Sequence, residues 1–399
     1  GVDATPSRAT GDGVRATVCD ESGHRGRATE AAGAAAGVTR APAERTPAVV
    51  AEVTGSQSPR GERVLPAGGT DAAGLLAGCA VDVDAIPPGR CFDGGPVMRI
   101  SGPYRDFARL ETALLGLLSH ASGIATAARR VREAAPDSPV LSFGARHVHP
   151  SIAAVVERSA LVAGLDGFSH VAAGDQIDRA ASGTMPHALL LCFGRGEQEA
   201  AWQAFDAAVG DDTQRIALCD TFSDEVDESL RAADALGDAL DGVRLDTTGS
   251  RRGDFRHIIR EVRWELDAAG HEDVDVFVSG GLGVHDLREL RDVADGFGVG
   301  SAISNANPVD FALDIVAIDG EAVSKRGKLS GVKSVYRTAA GGHHVGHRDS
   351  EPPADGEPLL EPLIRDGDVV DEFDLSLSEA TKRAARDASL VGFGGTDRV

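Results

Sequence analysis

Val274-Asp275-Val276-Phe277-Val278 runs straight into Ser279-Gly280-Gly281, and further on Gly296-Phe297-Gly298-Val299 runs into Gly300-Ser301. Each is a short apolar run closed by glycine and a small polar residue. Such a run reads as a strand buried on both faces and ended by a turn. The same pattern recurs upstream. Val140-Leu141-Ser142-Phe143 meets Gly144-Ala145-Arg146, Arg215-Ile216-Ala217-Leu218-Cys219 meets Asp220-Thr221, and Gly242-Val243-Arg244-Leu245 meets Asp246-Thr247. Helical periodicity separates most of these units, at 224–236, 254–269 and 284–293, and a long amphipathic stretch at 108–132 precedes them. That long stretch is expected to break at Ser122-Gly123. Strand–loop–helix repetition builds a parallel sheet, because parallel neighbours need a crossover. Polar residues at every strand's C-terminal end point to an α/β barrel with its site there. An open doubly wound sheet is the alternative.

Outside the repeat, 49–105 and 309–340 carry shorter β-like runs, so both ends of the chain are expected to build one β-rich sandwich domain beside a barrel over 106–308. Residues 341–399 read as an acidic tail with a helix near 377–391. Residues 1–48 contain no Phe, Tyr or Trp, and the first such residue is Phe92. A segment so poor in large apolar groups cannot offset its ordering entropy. It is expected to be disordered or aberrant.

The charge balance excludes some partners. The 399 residues carry 62 acidic and 40 basic side chains, a net charge of −22. A phosphate backbone would be repelled, so nucleic acid is not an expected partner. Arginine replaces lysine nearly everywhere, a surface that suits high salt. The five cysteines are scattered and read as reduced thiols, and no apolar run approaches membrane-spanning length. A cytoplasmic protein with no membrane partner is expected.

Candidate chemistry sits at the strand ends. Gly280 and Gly281, with Gly298, Gly300 and Ser301, form two glycine-rich loops on successive units, where backbone N–H groups can approach a phosphate. Asp220 and Asp246 each close an apolar strand and need a partner there: a ribose diol, Mg²⁺ or an arginine, unless they only cap helices. Arg244 points to the same side as Asp246. Phe143 and Arg146 pair an aromatic face with a guanidinium, which suits a ring bearing a carboxylate. His187, in Gly183-Thr184-Met185-Pro186-His187, reads by itself as structural. Of only four lysines, Lys325, Lys328 and Lys333 share one window beside Gly and Ser, as a phosphate or diphosphate clamp would. His343, His344 and His347 lack supporting carboxylates and read as a solvated loop, and no metal ligand set is assigned.

Taken in order, Leu110-Glu111-Thr112-Ala113-Leu114-Leu115, Ser122-Gly123-Ile124-Ala125-Thr126, Phe143-Gly144-Ala145-Arg146-His147-Val148-His149-Pro150, Gly183-Thr184-Met185-Pro186-His187, Val243-Arg244-Leu245-Asp246 and Ser279-Gly280-Gly281-Leu282 closely resemble nicotinate phosphoribosyltransferase of the archaeal type. The acidic, lysine-poor composition resembles haloarchaeal proteins. The resemblance covers roughly 80–340. It implies the type II phosphoribosyltransferase fold, an incomplete α/β barrel with an open-faced β sandwich. It implies that nicotinate and 5-phosphoribosyl 1-diphosphate are joined to give nicotinate mononucleotide and diphosphate in NAD synthesis. Phe143, Arg146, Thr184 and Arg244 would meet nicotinate, Asp220 and Asp246 would act at ribose and substrate, and the glycines would hold the 5-phosphate. His187 would be phosphorylated by ATP, with Mg²⁺ as cofactor and a homodimer or larger assembly placing the site near a subunit interface. One departure stands out. The family's N-terminal Asp-x-Tyr motif is missing, and the only tyrosines are Tyr104 and Tyr336. The alternatives are quinolinate phosphoribosyltransferase, whose Lys-Thr-Thr-Pro-Gly-Leu-Arg run is replaced here by Phe143-Gly144-Ala145-Arg146, and a non-catalytic nucleotide- or phosphate-binding paralogue.

Overall fold

The structure, a computed structural model, describes residues 47–55, 63–182, 185–210, 213–249, 253–391 and 393. The expectation for 1–48 therefore falls almost wholly outside the described residues, as does that for Thr184.

Three strands precede the repeat: β1 (Ala48–Gly55), β2 (Asp82–Ala85) and β3 (Pro96–Pro103). The parallel strands are β4 (Val140–Ser142), β5 (Gly167–Phe168), β6 (Ile216–Leu218), β7 (Gly242–Leu245), β8 (Asp275–Val278) and β9 (Gly296–Val299). Their order is β5-β4-β9-β8-β7-β6, so an early strand pairs with the last one and the sheet curls. The ring stays open between β5 and β6. This is the incomplete barrel that the resemblance implies. Strands β4, β6, β7 and β9 are buried at every residue, which is why they read as unbroken apolar runs. The helix Phe255–Ala268 buries Ile259, Val262 and Leu266 along one stripe against this sheet. Strand β5 has only two residues, too short to announce itself by pattern.

The remaining strands are β10 (Phe311–Ile318), β11 (Glu321–Ala322), β12 (Lys333–Arg337), β13 (His343–His347), β14 (Glu357–Pro358), β15 (Glu361–Arg365) and β16 (Asp368–Val369). A seven-stranded antiparallel sheet runs β11-β10-β1-β3-β2-β15-β16. The last two of these come from the segment that reads as an acidic tail. Leu363 and Ile364 are fully buried there, but charged neighbours hide them from pattern reading. A separate three-stranded sheet, β13-β12-β14, takes in His343, His344 and His347. The histidine tract is thus a strand, not a solvated loop: its backbone pairs with β12, Arg337 opposite His343.

The helix Leu377–Val391 is tied back by Asp387, which takes both guanidinium N–H groups of Arg337 and the Cys91 N–H at 2.8 Å. The long helix Glu111–Ala134 does not break at Ser122-Gly123. Those residues are small because something packs on them. A Cβ on Gly123 would lie 2.3 Å from the Asn307 carbonyl oxygen. The Ser122 hydroxyl accepts the Ala67 N–H at 3.0 Å, and the Thr126 hydroxyl accepts that of Leu65 at 3.0 Å.

Candidate active site

The C-terminal ends of β4, β6, β7 and β8 converge on one set of polar groups. Arg244, near the end of β7, is 8% exposed. Its guanidinium donates to Asp246 Oδ1 at 3.2 Å, to Ser279 Oγ at 2.9 Å and to the Met185 carbonyl at 2.5 Å. Ser279 donates in turn to the same Asp246 oxygen. The guanidinium also lies over the Phe143 ring, 5.6 Å from its centroid. Burial pulls the Arg244 pKa below the usual arginine value, the Asp246 and Asp220 carboxylates oppose that, and the positive charge of Arg146 adds to the lowering. Two guanidinium groups facing one region favour an anion between them.

Asp220 follows β6, and its side chain is 1% exposed. One oxygen accepts the Asp246 N–H at 2.6 Å, while the other, Oδ1, is buried with no hydrogen-bond partner. Burial pushes this carboxyl above its ordinary range, against the pull of the Asp246 N–H, His187 and Thr247. His187 opens the helix His187–Phe193 in the stretch between β5 and β6. Its Nε2 sits 3.5 Å from Asp246 and 3.7 Å from Asp220, and its Nδ1 lies 3.1 Å from the Thr221 hydroxyl. A histidine held between two carboxylates can carry a proton or present a nitrogen to an electrophile.

Glycine is required at two places here. Gly280 has φ +100, and a Cβ on it would fall 2.0 Å from the Asp246 carbonyl oxygen. Beside it Gly281, at φ +78, faces open space. A cavity of about 820 Å³ opens at this turn, lined by Thr248, Asp254, Arg256, Gly280, Gly281 and Arg288 among others. Gly298 serves another purpose than the expected phosphate loop. It is buried within β9, and a Cβ there would meet the Phe143 ring at 2.3 Å. The ring is seated on the bare strand.

Residues 124–314 match the family described as quinolinate phosphoribosyl transferase, C-terminal domain, and residues 35–122 match the N-terminal domain of the same enzyme. A nicotinate phosphoribosyltransferase of Mycobacterium tuberculosis (strain H37Rv) is 30% identical over 336 residues, covering 78% of this chain and 73% of that relative. The chain belongs to the type II phosphoribosyltransferase family. A second nicotinate phosphoribosyltransferase, from the CDC 1551 / Oshkosh strain of the same species, is 33% identical over 307 residues, or 72% of this chain. The matched stretch is 64% of that relative, so the chain spans under two thirds of its length. A crystal structure of nicotinate-nucleotide pyrophosphorylase from Pyrococcus furiosus is 44% identical, covers 94% of this chain and 98% of its own, and superposes with a TM-score of 0.86. Human nicotinic acid phosphoribosyltransferase shares the fold, at 22% identity and a TM-score of 0.72 over 94% of each chain.

In this type II phosphoribosyltransferase the structure gathers Phe143, His187, Asp220, Arg244, Asp246, Gly280 and Gly281 around one mouth. Arg146 stands exposed at its edge, with Nε 3.5 Å from His147 Nε2. Gly300 precedes a four-residue helix that starts at Ser301, and a Cβ on Gly300 would meet the His147 ring at 2.9 Å. The lysines sit elsewhere. Lys325 and Lys328 pair with Asp314 of β10 at 2.5 and 3.2 Å, and Lys333 pairs with Glu52 of β1 at 2.9 Å. Within this chain the three lysines form ion pairs on the antiparallel sheet, where Glu52 and Asp314 are buried and need counter-charges. Sequence reading missed Ser279, Thr221 and the Met185 carbonyl as site groups. Ser279 stood in a quoted motif, but the carbonyl carries no sequence signal at all.

Among the described residues no group of three or more His, Cys, Asp or Glu side chains could cage a metal. The unpartnered Asp220 oxygen beside Asp246 still fits a Mg²⁺ that arrives on substrate phosphates, since that ion takes only one or two protein carboxylates. No helix among the described residues is long and apolar enough to cross a membrane.

Proposed function

We propose that the chain is a nicotinate phosphoribosyltransferase, joining nicotinate to 5-phosphoribosyl 1-diphosphate with release of diphosphate. The observation that carries this reading is the seat made by Phe143 and Arg244, with the guanidinium 5.6 Å above the ring and Arg146 near it. A flat pyridine with one carboxylate matches an aromatic face flanked by guanidinium groups. Asp220 and Asp246 are then placed to hold the ribose hydroxyls, and Gly280-Gly281 to take the 5-phosphate. The bond at C1 breaks through a transition state with oxocarbenium character. The chain's part is to align the ring nitrogen and to stabilise charge, not to supply an unusual acid. Mg²⁺, when bound on the diphosphate, would neutralise the leaving group.

We infer also that His187 couples the reaction to ATP through a phosphohistidine. The two carboxylates beside it support this reading, since they can orient the ring for phosphoryl capture. Quinolinate is the second reading, favoured by the matching family description and by the words attached to the Pyrococcus furiosus structure. It would require cations for a second carboxylate beyond the two guanidinium groups, Arg244 and Arg146, that the single carboxylate of nicotinate already calls on.

One assay separates the readings. Purified protein in molar salt receives nicotinate, nicotinamide or quinolinate with 5-phosphoribosyl 1-diphosphate and Mg²⁺, with and without ATP. Turnover of nicotinate alone, stimulated by ATP in the wild type and not in His187→Ala, is the expected result. Carbon dioxide release from quinolinate would overturn the nicotinate assignment. An ATP response that survives His187→Ala would overturn the coupling.

A further inference from the structure

Glu228 is fully buried in the helix Glu225–Leu236, and its carboxylate is turned toward the strand end that carries Asp220. Three successive backbone N–H groups converge on it: Thr221 at 2.8 Å, Phe222 at 2.7 Å and Ser223 at 2.9 Å. Three amides aimed at one point form a nest that would otherwise attract an anion. Glu228 occupies that nest from within the chain, so the end of β6 is not open to a phosphate as the Gly280-Gly281 turn is.

The same carboxylate reaches across to the other half of the site. It accepts from Gln198 Nε2 at 3.3 Å, and Gln198 is 1% exposed at the start of the helix Gln198–Ala208. That helix follows the His187–Phe193 helix after a short link, in which Arg195 lies over the Phe222 ring, 5.7 Å from its centroid. Thr221, held by Glu228, is itself the residue whose hydroxyl meets His187 Nδ1. One buried side chain therefore joins the turn that carries Asp220 to the helical pair that carries His187.

We propose that Glu228 is a positioning residue that fixes the spacing of His187 and Asp220, with Gln198 as its link to the histidine-bearing segment. The kinetic part of this proposal rests on the reading of the site as a nicotinate phosphoribosyltransferase; the structural part does not. Phe143 directly follows β4 and Arg244 lies in β7, and both stay seated when the β6 turn loosens. Loss of Glu228 should therefore act on the chemical step and spare the pyridine pocket.

The test uses Glu228→Gln in the full chain. It keeps the volume but leaves one carbonyl oxygen for three N–H groups. Amide hydrogen exchange over 219–224 should accelerate while the β8 and β9 strands keep their protection. The kcat should fall about 10- to 100-fold, the loss that a misplacement near 1 Å produces, with the KM for nicotinate little changed. Unchanged exchange over 219–224, or wild-type kcat with a loosened turn, would overturn the proposal. So would an equal loss in both parameters. If Glu228→Gln does not fold, Gln198→Leu cuts the link, together with the acceptor of the Gly196 N–H and Arg231, leaves Glu228 on the turn, and should lower kcat several-fold at constant KM; a wild-type kcat there refutes it. Should the wild type turn over no pyridine at all, the functional reading falls. The exchange measurement then still decides whether Glu228 holds the turn.

Discussion

Arg244 holds its charge at 8% exposure because its two terminal nitrogens find Asp246, Ser279 and the Met185 carbonyl and the guanidinium lies over the Phe143 ring. Replacement by Ala would remove a charge-assisted seat for the substrate carboxylate, costing about 2–4 kcal/mol in transition-state binding, roughly 30- to 1000-fold in kcat/KM for nicotinate. Arg244→Lys should recover little, since an ammonium cannot serve three partners in one plane. Steady-state kinetics on both variants checks this, and near wild-type kcat/KM in Arg244→Ala would count against the pocket. Asp220 shows the opposite balance. Burial raises its folded pKa above the unfolded value, so the carboxyl prefers the neutral form in the fold. Stability from this group is fully present below the unfolded pKa and is lost as pH rises through the folded pKa. In its ionised form the buried Asp220 is a destabilising group. Asp220→Asn should raise the Tm at pH 7 relative to wild type while abolishing most turnover, and the Tm gain should vanish near pH 4. A lower Tm at pH 7 would refute that account.

At the scale of the element, the parallel strands other than β5 were legible because they are buried on both faces, and burial leaves a continuous apolar run. The helix Glu111–Ala134 was misread at Ser122-Gly123 because small residues that admit a neighbouring backbone look the same in sequence as small residues that end a helix. Gly298 was misread for a related reason: a glycine that seats an aromatic ring and one that cradles a phosphate share a spelling. Gly298→Ala would place a methyl 2.3 Å from the Phe143 ring edge. Phe143 is only partly buried, so its ring can swing aside, and the stability cost should stay under about 2 kcal/mol. The ring would then leave Arg244, and the KM for nicotinate should rise several-fold. Thermal unfolding and steady-state kinetics on the same preparation distinguish this from general destabilisation. An unchanged KM would mean the ring is not a wall of the pocket.

At the scale of the whole molecule, the helix Leu377–Val391 is locked to the rest of the fold by buried charge. Asp387 and Arg337 are 1% and 4% exposed, and Asp387 also takes the Cys91 N–H. Breaking one side of such a pair strands the other charge in the interior. Asp387→Asn should destabilise by about 3–5 kcal/mol in urea unfolding. The double variant Asp387→Leu with Arg337→Met should recover part of that loss, because no unpaired charge is left behind. A single variant as stable as the wild type would show that the helix Leu377–Val391 is held by its apolar face alone.

By itself the sequence determined the strand–loop–helix order, the burial of the parallel strands and most of the polar groups at their ends, because these depend on periodicity and on short-range turn chemistry. It also carried the ordered motifs that mark the family. Only the tertiary structure decided which strand neighbours which, and so where the barrel stays open and how the stretch bearing His187 enters. It alone sent the lysines to Asp314 and Glu52, turned a polar tail into strands β13 to β16, and brought Glu228 beneath the Asp220 turn. Each of these depends on pairing between residues far apart in the chain, and a buried ion pair or backbone acceptor leaves no local pattern from which its partner could be read.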